Sequence, residues 1–179
     1  HFTCCDFITD CVQNSVEAGA GKIRLGVEET PERFSVRLTD DGRGMTPEEL
    51  ERTRDPFFTS GEKHLRRVGL GIPFLVQATE LSGGSFHLKS EPGKGTDLSF
   101  AFDLRHVDSP PVGDVPAAFL QALCFEGDYE MEIQRTLTKG SGTAEYRVSR
   151  RELIEVLGDL SDGATLKLLR EYLRSQEED

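Results

Sequence analysis

Positive charge is scarce in this sequence: 21 Lys and Arg stand against 32 Asp and Glu in 179 residues, a formal net charge of −11 with a pI near 4.9. That balance excludes a broad basic face for wrapping nucleic acid or resting on an anionic membrane, and leaves room only for a local cationic pocket. Long apolar runs are missing as well. No stretch approaches the roughly 18 residues that cross a bilayer, and the amino end has no basic segment followed by a hydrophobic one. A cytoplasmic protein that touches neither membrane nor nucleic acid is expected. Cysteine is sparse and unpatterned: Cys4, Cys5, Cys11 and Cys124 form no C-x-x-C pair. This argues against zinc or redox chemistry, and the thiols read as small apolar residues on a buried helix in a reducing compartment. No internal repeat or low-complexity tract appears. Hydrophobic residues make up only 36% of the chain, so a modest core is expected, in one ordinary domain with a small appendage.

What is present is periodic in short pieces. Phe7, Ile8, Cys11, Val12, Ser15 and Val16 recur at helical spacing within residues 3–18, and Gly19 and Gly21 supply a stop. Residues 22–28 and 34–40 alternate apolar with polar around Glu29-Thr30-Pro31-Glu32, which reads as a hairpin. Thr46-Pro47-Glu48-Glu49 joins a hydroxyl N-cap, a proline in the first turn and a glutamate three residues on, predicting a short helix to about Arg54. Periodicity vanishes from Asp55 to Val68, a basic loop, and resumes as a helix from Leu70 to Leu81. Residues 85–90 and 97–104 then flank the turn 91–96 as a second hairpin. The stretch Asp108-Ser109-Pro110-Pro111-Val112-Gly113 suits neither regular structure and marks a boundary. Residues 1–105 are therefore read as one domain and 106–179 as a C-terminal α/β extension of unassigned role. The extension holds helices near 116–125, 150–157 and 162–176 and strands near 129–137 and 143–148.

Three places carry chemistry. Asp10 and Asn14 are four apart on the first helix and project from one face. They can share a water or an Mg²⁺ ion, which prefers hard oxygen ligands and keeps several waters; they also suit a solvated helix face. Asp40-Asp41-Gly42-Arg43-Gly44-Met45 ends a strand in a glycine-punctuated turn, presenting a carboxylate where a ligand can come close to the backbone. Gly69-Leu70-Gly71 falls at a helix start behind the basic loop, where free N–H groups favour phosphate.

In their order and conjunction these elements resemble the GHKL superfamily. Those Bergerat-fold ATPases include type II topoisomerases, heat-shock chaperones, histidine kinases and mismatch-repair proteins. Residues 10–20, DCVQNSVEAGA, resemble its N box, and 40–45, DDGRGM, its first glycine box. Residues 55–60, DPFFTS, are similar to the phenylalanine box of bacterial histidine kinases, 68–72, VGLGI, to their second glycine box, and 93–96, GKGT, to the closing motif. The resemblance covers about residues 4 to 104. It implies an α/β fold, a two-layer sandwich of a mixed sheet covered on one face by the helices near 4–18, 47–54 and 70–82, with ATP between the layers.

The resemblance also implies roles. Asn14 would ligate an Mg²⁺ ion bridging the phosphates, and Asp10 would be the catalytic base. Asp40 would accept a hydrogen bond from the adenine amino group, with Thr96 helping through water. Gly42 and Gly44 would let the base lie close to the backbone, and Met45 closes the same motif among the nucleotide-binding positions. Gly69 and Gly71, with Val68 and Leu70 around them, would let amides reach the phosphates. Phe57 and Phe58 would anchor a mobile ATP lid whose Lys63, Arg66 and Arg67 offer cations to phosphate.

Departures bear on activity. Asp10 stands where hydrolytic members carry Glu, one methylene longer, which leaves slow or absent hydrolysis open. Arg67 replaces the first glycine of the usual G-x-G-L-G run. Glu17 replaces the basic residue that kinases often place after their Asn, which argues against ordinary kinase geometry. The chain opens directly on the N box and His106 falls in a loop, so no phosphoacceptor histidine is expected. The expected function is that of an Mg²⁺-dependent ATP-binding protein or ATPase of the histidine-kinase-like type, whose lid closes on nucleotide and alters the surface offered to a regulatory protein partner. The alternatives are a protein kinase acting in trans on Ser or on a separate His protein, and a module that holds ATP without turnover.

Overall fold

The computed structural model describes residues 2–54 and 66–178, the side chains of 66–70 excepted. Along the chain run α1 (Cys4–Glu17), β1 (Lys22–Glu29), β2 (Arg33–Asp40), α2 (Pro47–Arg52), α3 (Arg66–Leu81), β3 (Ser85–Glu91) and β4 (Gly95–Asp103). There follow α4 (Val115–Leu123), β5 (Glu130–Lys139), β6 (Gly142–Ser149), α5 (Arg150–Leu157) and α6 (Gly163–Glu177). The described strands make one six-stranded mixed sheet in the order β3-β4-β2-β1-β5-β6. The two expected hairpins, β1–β2 and β3–β4, are joined by the antiparallel pair β2–β4. The α/β class with helices over a mixed sheet is therefore the observed one. The segment after Arg105 enters the same sheet, because β5 lies parallel to β1 over its whole length, Lys22 opposite Glu130 through Glu29 opposite Leu137.

Local chemistry explains where the helices start. Thr3 and Thr46 both close capping boxes: Thr3 Oγ1 accepts the Asp6 N–H at 3.1 Å while Asp6 returns a bond to the Thr3 N–H at 2.8 Å, and Thr46 pairs with Glu49 in the same way. Each box satisfies two amides that a helix start leaves open. The proline-rich stretch supplies two more partners for α1, since the carbonyls of Pro111 and Val112 accept the N–H groups of Cys4 and Cys5 at 2.9 and 3.0 Å. A segment unfit for helix or strand thus serves as a cap.

Strand alternation puts Ile23, Leu25 and Val27 of β1 and Phe34, Val36 and Leu38 of β2 on the buried face. The other face is ionic, with Arg37 paired to Asp97 at 2.9 Å and Lys22 to Glu132 at 3.3 Å. Over the buried face lie α1, α3, α4 and α6. Phe7 of α1 stacks on Phe102 at 6.2 Å and meets Phe100 edge-on at 6.5 Å. The same core cluster runs on through Phe119, Leu123, Met131, Ile133, Leu169 and Leu173.

Cys4, Cys5 and Cys11 sit in this core on α1, and burial pushes their thiols up to about 12. A thiol so raised is almost wholly protonated near pH 8 and a poor nucleophile. Native protein treated with iodoacetamide at pH 8 is expected to take up at most one label, at the half-buried Cys124, and to become fully labelled only in guanidinium. Rapid native labelling of α1, read by peptide mass, would contradict this packing.

Candidate functional site

Where β2 ends, the apolar face of the sheet gives way to polar side chains. Strand pairing places Val36, Phe100 and Phe86 in one row across β2, β4 and β3, and Leu38, Leu98 and Leu88 in the next. The two-residue period then sets Asp40, Thr96 and Ser90 in the third row, on the same face. That row lies beside the C-terminal half of α1. Ser15 Oγ donates to Asp40 Oδ2 at 2.5 Å, and the Gly42 N–H donates to Asp40 Oδ1 at 2.8 Å. A carboxylate offers about four acceptor sites, so the half-buried Asp40 is fixed in orientation and still has capacity for an outside donor.

The turn after Asp40 is wedged between α1 and the β3–β4 hairpin. A Cβ on Gly42 would meet Ala18 Cβ and the Ala18 carbonyl at 3.0 Å, and the Arg43 N–H bonds that carbonyl at 2.9 Å. Gly44 has φ +74°, and a Cβ there would overlap the Glu91 carbonyl. The Gly93 N–H donates to the Arg43 carbonyl at 2.7 Å, and the Met45 N–H donates to Ser90 Oγ at 2.9 Å. Ala18 and Glu91 are thus the neighbours admitted by the missing side chains of Gly42 and Gly44. One residue back, Asp41 Oδ1 takes the N–H groups of Gly21 and Lys22 at 2.7 and 2.9 Å, tying the end of β2 to the start of β1. The Lys22 bond first, then that of Gly21, holds this carboxyl below its ordinary value. The tie is complete at neutral pH and is lost as pH falls through the depressed folded-state pKa.

Asp10 and Asn14 are half-buried on α1, one turn apart. Asp10 faces α3: a Cβ built on Gly71 would meet Asp10 Cβ and Oδ2 at 3.3 Å. This corrects one expectation. The helix begins at Arg66, four residues ahead of Leu70, so Gly71 lies in its second turn and not at its start. Past the first turn an amide belongs to the helical ladder, and what the bare Cα admits is the α1 carboxylate. Pro73 sits inside the same helix, where it removes the hydrogen bond to the carbonyl of Gly69. Thr96 likewise lies within β4, which starts at Gly95 rather than at Asp97.

The structure thus brings Asp10, Asn14, Asp40, Gly42, Gly44, Met45, Gly71 and Thr96 around the junction of α1, α3 and the end of the sheet. Phe57, Phe58 and Lys63 lie outside the described residues. Arg66, Arg67, Val68, Gly69 and Leu70 enter only as backbone of α3. Two residues that hold this geometry were hidden in the sequence. Ser15 occupies a core position of an amphipathic helix, and Ser90 continues the apolar phase of Phe86 and Leu88. A hydroxyl at a buried phase needs a polar partner, and that is the signal both carried.

Residues 5–106 match the family described as histidine kinase-, DNA gyrase B-, and HSP90-like ATPase. The chain is 28% identical over 118 residues to the non-motile and phage-resistance protein of Caulobacter vibrioides, which is 63% of this chain and 14% of that protein. It is 30% identical over 97 residues to the CAI-1 autoinducer sensor kinase/phosphatase CqsS of Vibrio cholerae, 54% of this chain and 14% of the relative. With the sensor histidine kinase YxdK of Bacillus subtilis it shares 28% identity over 100 residues, 53% of this chain and 31% of that kinase. It spans less than a third of each of these relatives. No described helix is long and apolar enough to cross a membrane. The match takes in more than half of the chain, runs from α1 to β4 and contains every described residue of the site: this chain belongs to the histidine kinase-, DNA gyrase B- and HSP90-like ATPases.

Proposed function

We propose that the chain is an Mg²⁺-dependent ATP-binding protein whose nucleotide state is read by a partner protein. The observation that carries this reading is Asp40, a half-buried carboxylate aimed by Ser15 and Gly42 where the apolar rows of β2, β4 and β3 give way to a polar one. An acceptor so held discriminates for a ligand edge that donates, as the exocyclic amine of adenine does. Asn14, next to Ser15 on α1, and Asp10, one turn before Asn14, stand where the polyphosphate would follow. Among the described residues no cluster of His, Cys, Asp or Glu forms a metal cage. A single amide oxygen from Asn14 suits Mg²⁺, which takes its remaining ligands from water and phosphate. Bound there, the ion would offset phosphate charge.

In this reading Asp10 accepts the proton of an attacking water. Its side chain is one methylene shorter than Glu and leans on Gly71 of α3, so its reach depends on how closely the two helices pack. By its family resemblance the 55–68 segment would cover the phosphates, with Lys63, Arg66 and Arg67 as the available cations. Its closure on nucleotide would alter the surface a partner meets.

Asp10→Asn keeps the shape against Gly71 and removes the base. Calorimetry is expected to give ATP affinity within about twofold of wild type, while phosphate release falls by roughly 10²-fold or more, the usual share of a general base. Retained release would place the base elsewhere. ATP labelled on its γ-phosphate separates the remaining readings. Free label marks a hydrolase, label on a co-incubated protein a kinase, and tight binding with neither a module that only holds ATP.

A further inference from the structure

The hydroxyl of Ser90 makes three contacts, and their chemistry fixes where its one proton goes. Ser90 Oγ lies 2.8 Å from the Gly95 carbonyl, which can only accept, so Ser90 is the donor. The Met45 N–H, which can only donate, reaches Ser90 Oγ at 2.9 Å. Thr96 Oγ1 is 2.9 Å from the same atom. With its proton spent on Gly95, Ser90 can meet Thr96 only as acceptor, and the Thr96 hydroxyl must point its own proton at Ser90.

We infer that Ser90 is a specificity-determining residue of the base end of the cleft: it turns Thr96 into a pure hydrogen-bond acceptor and so makes that end select ligand edges that donate. This rests on the ATP reading given above and extends it to a residue that touches no ligand. The other groups there obey the same rule. Ser15 spends its proton on Asp40 Oδ2, and the Gly42 N–H spends its own on Asp40 Oδ1. Asp40 and Thr96, opposite each other in register and both half-buried, then both present lone pairs. A 6-amino purine brings two protons to that edge. A 6-oxo purine brings an oxygen, which meets two acceptors and no donor.

Ser90→Ala frees the Thr96 hydroxyl to rotate and donate. The test is calorimetric titration of the whole chain with Mg-ATP and with Mg-ITP, which differ at the base in the 6-amino against the 6-oxo group and the matching proton on N1. Wild type is expected to favour ATP, and Ser90→Ala to cut the ATP-to-ITP affinity ratio by roughly three- to tenfold, about one neutral hydrogen bond. Ser90→Thr keeps the hydroxyl and is expected to restore the ratio. In a Thr96→Val background the same Ser90→Ala change is expected to leave the ratio unmoved, because the relay has lost its second member.

A merely structural role, pinning Met45 and the β3–β4 turn, would weaken both nucleotides equally. A ratio unchanged in Ser90→Ala, with wild type discriminating normally, overturns the assignment and leaves the ATP reading standing. A wild-type chain that binds neither nucleotide overturns both. If Ser90→Ala fails to fold, as judged by circular dichroism, the ratio in Ser90→Cys decides: the weak S–H donor is expected to lie between Ala and Ser, and a wild-type value there counts against the relay.

Discussion

Asp40→Asn is expected to weaken ATP binding more than about 100-fold while leaving the fold intact. The carboxylate serves two protein donors, Ser15 at 2.5 Å and Gly42 at 2.8 Å, and has acceptor capacity left for an amine. An amide has one oxygen. The Gly42 N–H is a backbone donor of fixed direction, so the amide oxygen turns to it and the NH₂ group turns to Ser15, whose hydroxyl can rotate to accept. The incoming amine then faces N–H where it needs a lone pair. A hydrogen bond to a charged partner is worth about 1.5–3 kcal/mol, roughly ten- to a hundredfold in affinity, and two opposed donors add to the loss. Asn matches Asp in volume, so the melting temperature is expected to hold within a few degrees. Wild-type affinity in this variant would mean that the base docks elsewhere.

The largest stability effects are expected at Gly44 and Gly95. Both have left-handed backbones, φ +74° and +82°, and a Cβ on either would overlap a backbone carbonyl, that of Glu91 for Gly44 and that of Asp40 for Gly95. Alanine at either position must pay the left-handed penalty of about 1–2 kcal/mol and also force apart backbones in close contact, the turn after β2 from the end of β3 at Gly44 and β4 from the end of β2 at Gly95. Together these give a loss of about 3–5 kcal/mol, the range of severe overpacking. In a chain of this length that lowers the melting midpoint by about 10 °C. Gly93 separates the two contributions, since its φ is +78° but nothing lies within 4 Å of a Cβ built there. Gly93→Ala is expected to cost only the conformational part. Urea titrations in which all three variants behave alike would show that crowding is not what demands glycine at 44 and 95.

These same residues show what could be read before any coordinates. The first glycine box was legible as a motif, but its glycines have protein neighbours that no motif discloses. The helix α1 was legible from its apolar spacing and its glycine stop, and α2 because Thr46 sits at the right distance from Glu49 to close a capping box, a signal contained within four residues. The hairpins were legible from alternation. The parallel pairing of β5 with β1 was not, because no local pattern says which strand lies beside which, and a crossover leaves no mark on either. The start of α3 was hidden for the opposite reason. Gly69, Gly71 and Pro73 all disfavour a helix locally, and burial of Ile72, Leu75 and Val76 against the core overrides them.

Polar residues inside the core were the hardest to see. Arg135 continues the alternation of Met131 and Ile133 and is 1% exposed, held by Glu29 at 2.7 Å and by Glu177 of α6 at 3.0 Å. Nothing in its immediate sequence distinguishes it from a surface arginine. Ser15 and Ser90 belong to the same class. Each sits at an apolar phase, and each is explained by a partner far along the chain, Asp40 for one and the Met45 amide for the other.

A crystal structure of the chain with Mg²⁺ and a non-hydrolysable ATP analogue bears most directly on the whole account. The expected density shows the 6-amino nitrogen within about 3 Å of an Asp40 carboxylate oxygen, hydrogen-bond distance, and the Asn14 amide oxygen on an ion that touches the phosphates. Nucleotide bound away from the Asp40–Thr96 row, or a base turned so that its amine meets no oxygen of Asp40, would contradict it.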